Sequence, residues 1–185
     1  FGPQRPRLQP HAEGLVDRLW YGGGSLRSAR WAGENGFNLL TGNVISGEGT
    51  DDFHLAQVNL INTWREALGG RSGRVALGRV IVPTDSAPPS RITRYEAFAA
   101  SRFDRTLKPQ GERRTLFPRD LVGPAEQIVE WLLDDPVLPL VSELRLELPY
   151  EFKREEYEQI LSDTITRIAP ALGWRAKPQP ALAAE

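Results

Sequence analysis

The stretch from Leu19 to Gly36, L-W-Y-G-G-G-S-L-R-S-A-R-W-A-G-E-N-G, decides the fold. Leu19, Trp20 and Tyr21 are apolar or aromatic and suit a short buried strand. Gly22, Gly23 and Gly24 interrupt them, permitting positive φ and a close approach of backbone. Ser25 then stands where a helix N-cap belongs, with Ser28 one turn on and Ala29, Trp31, Ala32 and Gly33 continuing the helix. Gly36 is the C′ stop after Asn35. Strand, glycine turn and helix make one βα unit. The first turn of such a helix carries unpaired N–H groups and partial positive charge. Gly22, Gly23, Gly24, Ser25 and Ser28, with Arg27 adding charge, are therefore read as a phosphate cradle. The competing reading is a tight βα turn whose glycines serve only the turn. The dinucleotide fingerprint is absent, because its last glycine position, counted from Gly22, is Arg27, and the P-loop lysine is absent too.

The same alternation continues along the chain. Leu15–Tyr21 reads as the first strand and Ser25–Asn35 as its helix; Phe37–Leu40 is a second strand. Thr50 or Asp51 caps a long helix reaching Leu68, stopped by Gly69-Gly70. Arg74–Val82 is a third strand and Ser90–Phe103 a helix. From Asp104 to Asp120 no period is visible, and the basic residues there suggest a mobile lid or a solvated loop. A helix begins at Gly123-Pro124, Ser142–Leu148 is a fourth strand, and an amphipathic helix over Lys153–Leu172 carries the stripe Tyr157, Ile160, Leu161, Ile165 and Ile168. Strands alternating with helices predict an α/β fold with a parallel sheet. Residues 1–14 read as a linker, 15–174 as the folded body and 175–185 as a flexible tail.

Composition narrows the chemistry. A formal charge of −1 gives no support for a nucleic-acid partner. The 185 residues include no cysteine, which removes thiolate chemistry and Cys-ligated metal, and two distant histidines predict no metal site. No apolar run has the length of a membrane span, so a cytoplasmic location is the expectation.

Single side chains add candidates. Arg79 interrupts an apolar strand on the face of Val75 and Leu77. It is read first as a structural ion pair or an outward-facing side chain, and second as an inward guanidinium near a ligand. In the last strand Leu144, Leu146 and Leu148 share one face and Glu143, Arg145 and Glu147 the other. If the leucines meet the helices, Arg145 pairs with a glutamate on the inner face and Glu147 lies nearest the site. Tyr150 follows that strand as a ligand contact or a core anchor. His54 reads as a surface or packing residue.

Several motifs in order carry a resemblance: P-R-L-Q-P-H, L-W-Y-G-G-G-S-x-x-S-A-x-W-A-x-x-x-G, V-I-V-P-T-D, L-V-G-P-A-E-Q-I-V-E-W-L, S-E-L-R-L-E-L-P and R-I-A-P-A-L-G-W. Together they resemble the C-terminal half of bacterial-luciferase-like, flavin-dependent monooxygenases. The resemblance implies a (β/α)8 TIM-barrel type of fold, this chain supplying about the last four βα units. It implies reduced FMN, or a deazaflavin in some branches, at the C-terminal ends of the strands, with O2 and a small organic substrate. Gly24 and Ser25 match the turn that holds the flavin phosphate, and Ser28 the hydroxyl residue one turn on. Thr41, Gly42 and Asn43 fall near the ring system. Arg79, Glu147 and Tyr150 are the catalytic candidates, and a flavin reductase is an implied partner. The resemblance lacks the family's N-terminal half, so residues 1–14 are expected to lead in from it. The functional unit is then completed by the same polypeptide, by a partner half-barrel or by homo-oligomerisation. A non-catalytic flavin-binding protein is the alternative.

Overall fold

A computed structural model describes Gly2 and residues 9–175. All of the expected tail beyond residue 175, and half of the expected linker, lie outside them. Four strands form one parallel sheet, in the order β1 (Trp20–Gly22), β2 (Asn38–Thr41), β4 (Val75–Arg79) and β8 (Glu143–Leu146). Spatial order thus follows chain order, as successive right-handed βα units require. Helices α1 (Leu26–Glu34) and α2 (Phe53–Leu68) cover one face, where Leu39, Leu77, Ala29, Leu60 and Trp64 are buried together. The expected α/β class with a mainly parallel sheet is what the chain forms.

The caps explain the helix limits. Ser25 caps α1 and Gly36, at φ 72°, follows its end. For α2 the cap is Asp52, whose carboxylate accepts from Leu55 N at 2.7 Å, one or two residues past the expected Thr50 or Asp51. Gly69 ends α2 in the left-handed conformation. The first strand is shorter than expected, because Val16–Arg18 forms a 3-10 turn.

The expected third strand is broken. Its second part, β5 (Ile81–Pro83), leaves the main sheet and pairs in parallel with β7 (Leu121–Gly123). The segment Asp104–Asp120 is built into the body. It opens with a 3-10 turn at Asp104–Thr106, and β6 (Thr115–Leu116) pairs antiparallel with β3 (Ile45–Ser46). Leu116 is buried in the main core, and Gly47 N donates to the Arg114 carbonyl at 2.8 Å. These are the contacts that an unstructured lid would lack.

Helices α3 (Pro89–Phe103) and α4 (Ala125–Leu133) fall where expected; Pro124 is the N-cap of α4. The final helix follows its expected stripe only in part: Ile160 and Ile168 are buried and Tyr157 packs against the core. In α5 (Arg154–Asp163) the residues Glu156, Gln159, Ile160 and Asp163 are buried, whereas Leu161 and Ile165 are exposed. Gln159 Nε2 donates to the Pro83 carbonyl at 2.9 Å, and Asp163 accepts from both Ser86 N and Ser86 Oγ at 3.0 Å. The helix therefore docks through polar contacts with the loop after β5. A π-helical turn at Thr164–Ile168 then shifts the remaining face and ends in α6 (Ala169–Ala171).

Tyr95 lies fully buried against α5 and donates to Gln159 Oε1 at 3.0 Å. Burial, then the carboxylate of Glu156, pushes its phenol up to about 12 from 10.0. Because the folded value lies above the unfolded one, this contribution to stability is complete below pH 10 and is lost as the pH rises toward 12. Urea unfolding across that window should show the loss, and Tyr95→Phe should flatten it. A wild-type profile no steeper than that of Tyr95→Phe would refute the assignment.

Candidate functional site

The face of the sheet opposite α1 and α2 carries the candidate site. Leu144 and Leu146 pack with the buried residues on the helix side, so Glu143, Arg145 and Glu147 point the other way. Arg145 pairs with Glu143 at 3.3 Å, the internal pair read from the sequence. Arg145 and Arg74 also lie over the ring of Trp20, at 4.6 and 4.9 Å.

Toward the C-terminal strand ends this face becomes small. Gly42 and Gly78 lie side by side, a Cβ on Gly78 falling 3.2 Å from Gly42 Cα. The Glu147 carboxylate lies over both, where a Cβ on either glycine would strike it. It accepts a hydrogen bond from Asn43 Nδ2. Asn43 is 5 % exposed, and its Oδ1 is buried with no hydrogen-bond partner among the described residues. A buried acceptor in that state is costly, and a ligand N–H or O–H would satisfy it.

The turn after β1 is already engaged. Ser25 and Ser28 form a capping box, Ser28 N donating to Ser25 Oγ at 3.2 Å and Ser25 N to Ser28 Oγ at 3.1 Å. Leu26 N donates to the Glu48 carboxylate at 3.1 Å. An anion thus sits at the start of α1, supplied by the chain itself. None of Gly22, Gly23 and Gly24 takes a positive φ; of the two freedoms that glycine permits, the turn uses close approach. Gly24 is required because a Cβ would lie 2.9 Å from the Val44 carbonyl, and Gly23 sits tightly against Leu39 and Ser28. Gly22 has open space beside it.

Thr41 and Tyr150 are placed differently from the expectation, and Arg79 follows its structural reading rather than its catalytic one. Thr41 shares the helix-side face with Leu39, and its hydroxyl accepts from Gln57 Nε2 at 2.8 Å. It is turned away from Asn43 and Glu147. Arg79 is also on the helix side, in a buried ion pair with Asp135 at 2.7 Å, as the first reading held. Its pKa is lowered by burial, against the opposing charge of Asp135. Tyr150 is fully exposed and is neither a core anchor nor a wall of the site. His54 is half-exposed beside Asp135 at 3.9 Å. Gly42 lies at the site, as the resemblance implied, whereas Glu48 and Gly78 were not foreseen. Alternation along β4 from Val75 and Leu77 places Gly78 on the inner face, whereas nothing local marks Glu48.

Two clefts lie elsewhere. One of about 360 Å³ opens beside Arg102, Phe103 and Arg119, and another of about 250 Å³ beside His54, Trp131 and Asp135. Neither cleft is lined by the inner-face residues Gly42, Gly78 and Glu147. Among the described residues the outer edges of β1 and β8 have no strand partner. No helix among them is long and apolar enough to cross a membrane, and no group of three or more carboxylate or imidazole side chains is placed to hold a metal ion.

No protein-family model matches the sequence, and no curated protein matches it. The fold has a counterpart among solved structures. It is similar to apo-MsnO8, with a TM-score of 0.57 and 18 % sequence identity. The match covers 91 % of this chain and 54 % of that one, so the chain spans about half the length of the structure it matches. At that identity the likeness is one of fold.

Proposed function

We propose that this chain supplies the C-terminal half of a (β/α)8 barrel of the luciferase-like kind, a flavin-dependent monooxygenase that uses reduced FMN, or a deazaflavin, with O2 and a small organic substrate. The observation that carries the reading is the orphaned Asn43 Oδ1 beside Glu147, above Gly42 and Gly78, at the C-terminal ends of β2 and β4. Barrel active sites lie at that end of the strands. The glycine pair makes room for the Glu147 carboxylate, which with Asn43 gives a flat ring a polar floor, and Asn43 Oδ1 is an acceptor suited to a ring N–H. The start of α1 supplies the phosphate end, with Gly22 open beside it and Glu48 marking where an anion rests. Reduced flavin held there would supply the electrons for oxygenation. The chain's own part is to orient the ring through Asn43, to hold Glu147 as a fixed carboxylate at its edge, and to grip the phosphate at Ser25 and Ser28.

The test is titration of the 185-residue chain with FMN and with riboflavin, read by flavin absorbance and fluorescence. Ser25→Ala with Ser28→Ala should weaken FMN by about 1–3 kcal/mol and leave riboflavin unchanged. Asn43→Ala should weaken both flavins alike. Glu48→Gln, which removes the competing anion, should tighten FMN by about 0.3–1 kcal/mol. Equal losses of FMN and riboflavin in the serine variant would sink the cradle, and an Asn43→Ala chain binding both flavins normally would sink the ring site. The second reading, a half-barrel subunit completed by a partner chain or a second copy, is favoured by the unpaired edges of β1 and β8.

A further inference from the structure

Apart from the flavin reading, the cleft between the end of α3 and the start of β7 holds an unusual charge balance. Its wall includes Arg102, Phe103, Thr106, Arg119, Asp120 and Val122, around a volume of about 360 Å³. Arg105 joins it from behind, through Asp120. Asp120 is buried and is the sole carboxylate these arginines contact among the described residues. It takes Arg102 at 2.6 Å and stands 3.8 Å from Arg105. Arg102, Arg105 and Arg119 thus leave a positive surplus around Asp120, Arg119 also lining the neighbouring cleft that holds Asp134 and Asp135.

The guanidinium carbon of each lies over an aromatic ring. Arg102 lies 4.5 Å from Phe98, Arg105 4.4 Å from Phe117 and Arg119 3.8 Å from Trp131. Such a contact restrains the fork and leaves N–H groups free to donate, which lowers the ordering cost of binding a planar or tetrahedral oxyanion. Two edges are in fact unused. Arg105 Nε is buried with no partner, and Arg119 makes no hydrogen bond among the described residues. Burial and the neighbouring charge of Arg102 both lower the pKa of Arg105, with Asp120 only opposing them. A bound anion would relieve that charge.

We propose that this cleft binds a phosphate monoester dianion. Arg119 and Arg102 meet the phosphate from the cleft wall, Arg105 adds its charge from behind Asp120, and Phe103 and Val122 face the ester's organic group. The dianion answers this positive surplus, and guanidinium forks match phosphate oxygens. An ester is favoured over the bare ion because one wall of the cleft is apolar, formed by Ala99, Phe103 and Val122.

Calorimetric titration of the full chain with phenyl phosphate, inorganic phosphate, benzoate and phenol tests this. Phenyl phosphate should bind saturably and more tightly than the other three. Arg119→Ala, a change at an exposed side chain, should weaken it about tenfold, as for loss of a hydrogen bond to a charged group. Arg105→Gln removes the charge behind Asp120, and should weaken it as well. Ser25→Ala with Ser28→Ala should leave it unchanged, which separates this cleft from the flavin cradle. Arg154→Ala, at an exposed arginine on α5, is the control for bulk charge. Absence of saturable phenyl phosphate binding would overturn the proposal, as would loss of binding in the serine variant but not in Arg119→Ala. Inorganic phosphate binding as tightly as phenyl phosphate would assign the cleft to the free ion and overturn the ester.

Discussion

Arg79→Ala should destabilise the chain by about 3–5 kcal/mol, the cost of removing one partner of a buried ion pair. Arg79 is 2 % exposed. Its Nε and Nη2 both donate to Asp135 Oδ2, at 3.0 and 2.7 Å, Nη2 also donates to Gln57 Oε1 at 2.7 Å, and Nη1 donates to the Gly78 carbonyl at 3.0 Å. Alanine leaves three acceptors without their donor and Asp135 as an uncompensated charge in a site 7 % exposed. Solvent reaches it poorly, so little of that cost is recovered. The pair itself is another matter. Replacing both partners, as Arg79→Met with Asp135→Leu, should cost far less than Arg79→Ala alone, because an ion pair and a well-packed apolar pair are nearly equivalent when buried. Urea unfolding of the three chains checks both statements. A loss below about 1 kcal/mol for Arg79→Ala, against the expected range, would mean that water reaches Asp135. The outcome also bears on function. If Arg79 were a ligand contact, its removal would abolish flavin binding while sparing stability.

Where the sequence was readable, a period or a cap carried the information. Ser25, Asn35 and Gly36 are local signals, and they mark the limits of α1 to within a residue. Leu144 and Leu146 against Arg145 and Glu147 is a period of two, and it correctly assigned the faces of β8. The same period from Leu39 would have turned Thr41 toward α2, where Gln57 holds it. The resemblance placed it near the ring instead. What was not readable is non-local. β3 and β6 are two residues each, too short for any period, and exist because they pair across the fold. The buried polar face of α5 is set by the carbonyls and amides of the loop after β5, which no pattern within α5 announces. Glu48 belongs to the same class: its carboxylate matters only because the chain returns it to Leu26 N. Asn43 was singled out by the resemblance, but its unpaired Oδ1 follows from how Glu147, far along the chain, takes its amide nitrogen.

Gly33→Ala sets two effects of opposite sign against each other, and the packing effect should win. Within a helix, alanine is preferred over glycine by about 0.8–1 kcal/mol, so an open position would be stabilised. Gly33 is where α1 crosses α2. A Cβ there would lie 2.5 Å from the Trp64 carbonyl oxygen, 2.8 Å from Ala67 Cβ and 3.0 Å from Leu68 N. Two of those three neighbours are backbone, which cannot rotate aside as a side-chain end can. The contact is also locked from both sides: Trp64 Nε1 donates to the Phe37 carbonyl at 2.9 Å, and Arg71 Nη2 donates to the Gly33 carbonyl itself at 2.6 Å. Relief therefore requires the two helices to separate, loosening the core around Ala29, Ala32, Leu60 and Trp64. A net loss of about 3 kcal/mol is expected, toward the upper end for overpacking. Because α1 begins at the proposed phosphate turn, the displacement should also weaken FMN more than riboflavin, although Gly33 touches neither. Urea unfolding gives the first quantity and the paired flavin titrations the second. A more stable Gly33→Ala chain would show that α1 and α2 can part without cost, and that the turn at Ser25 is not held in place by their crossing.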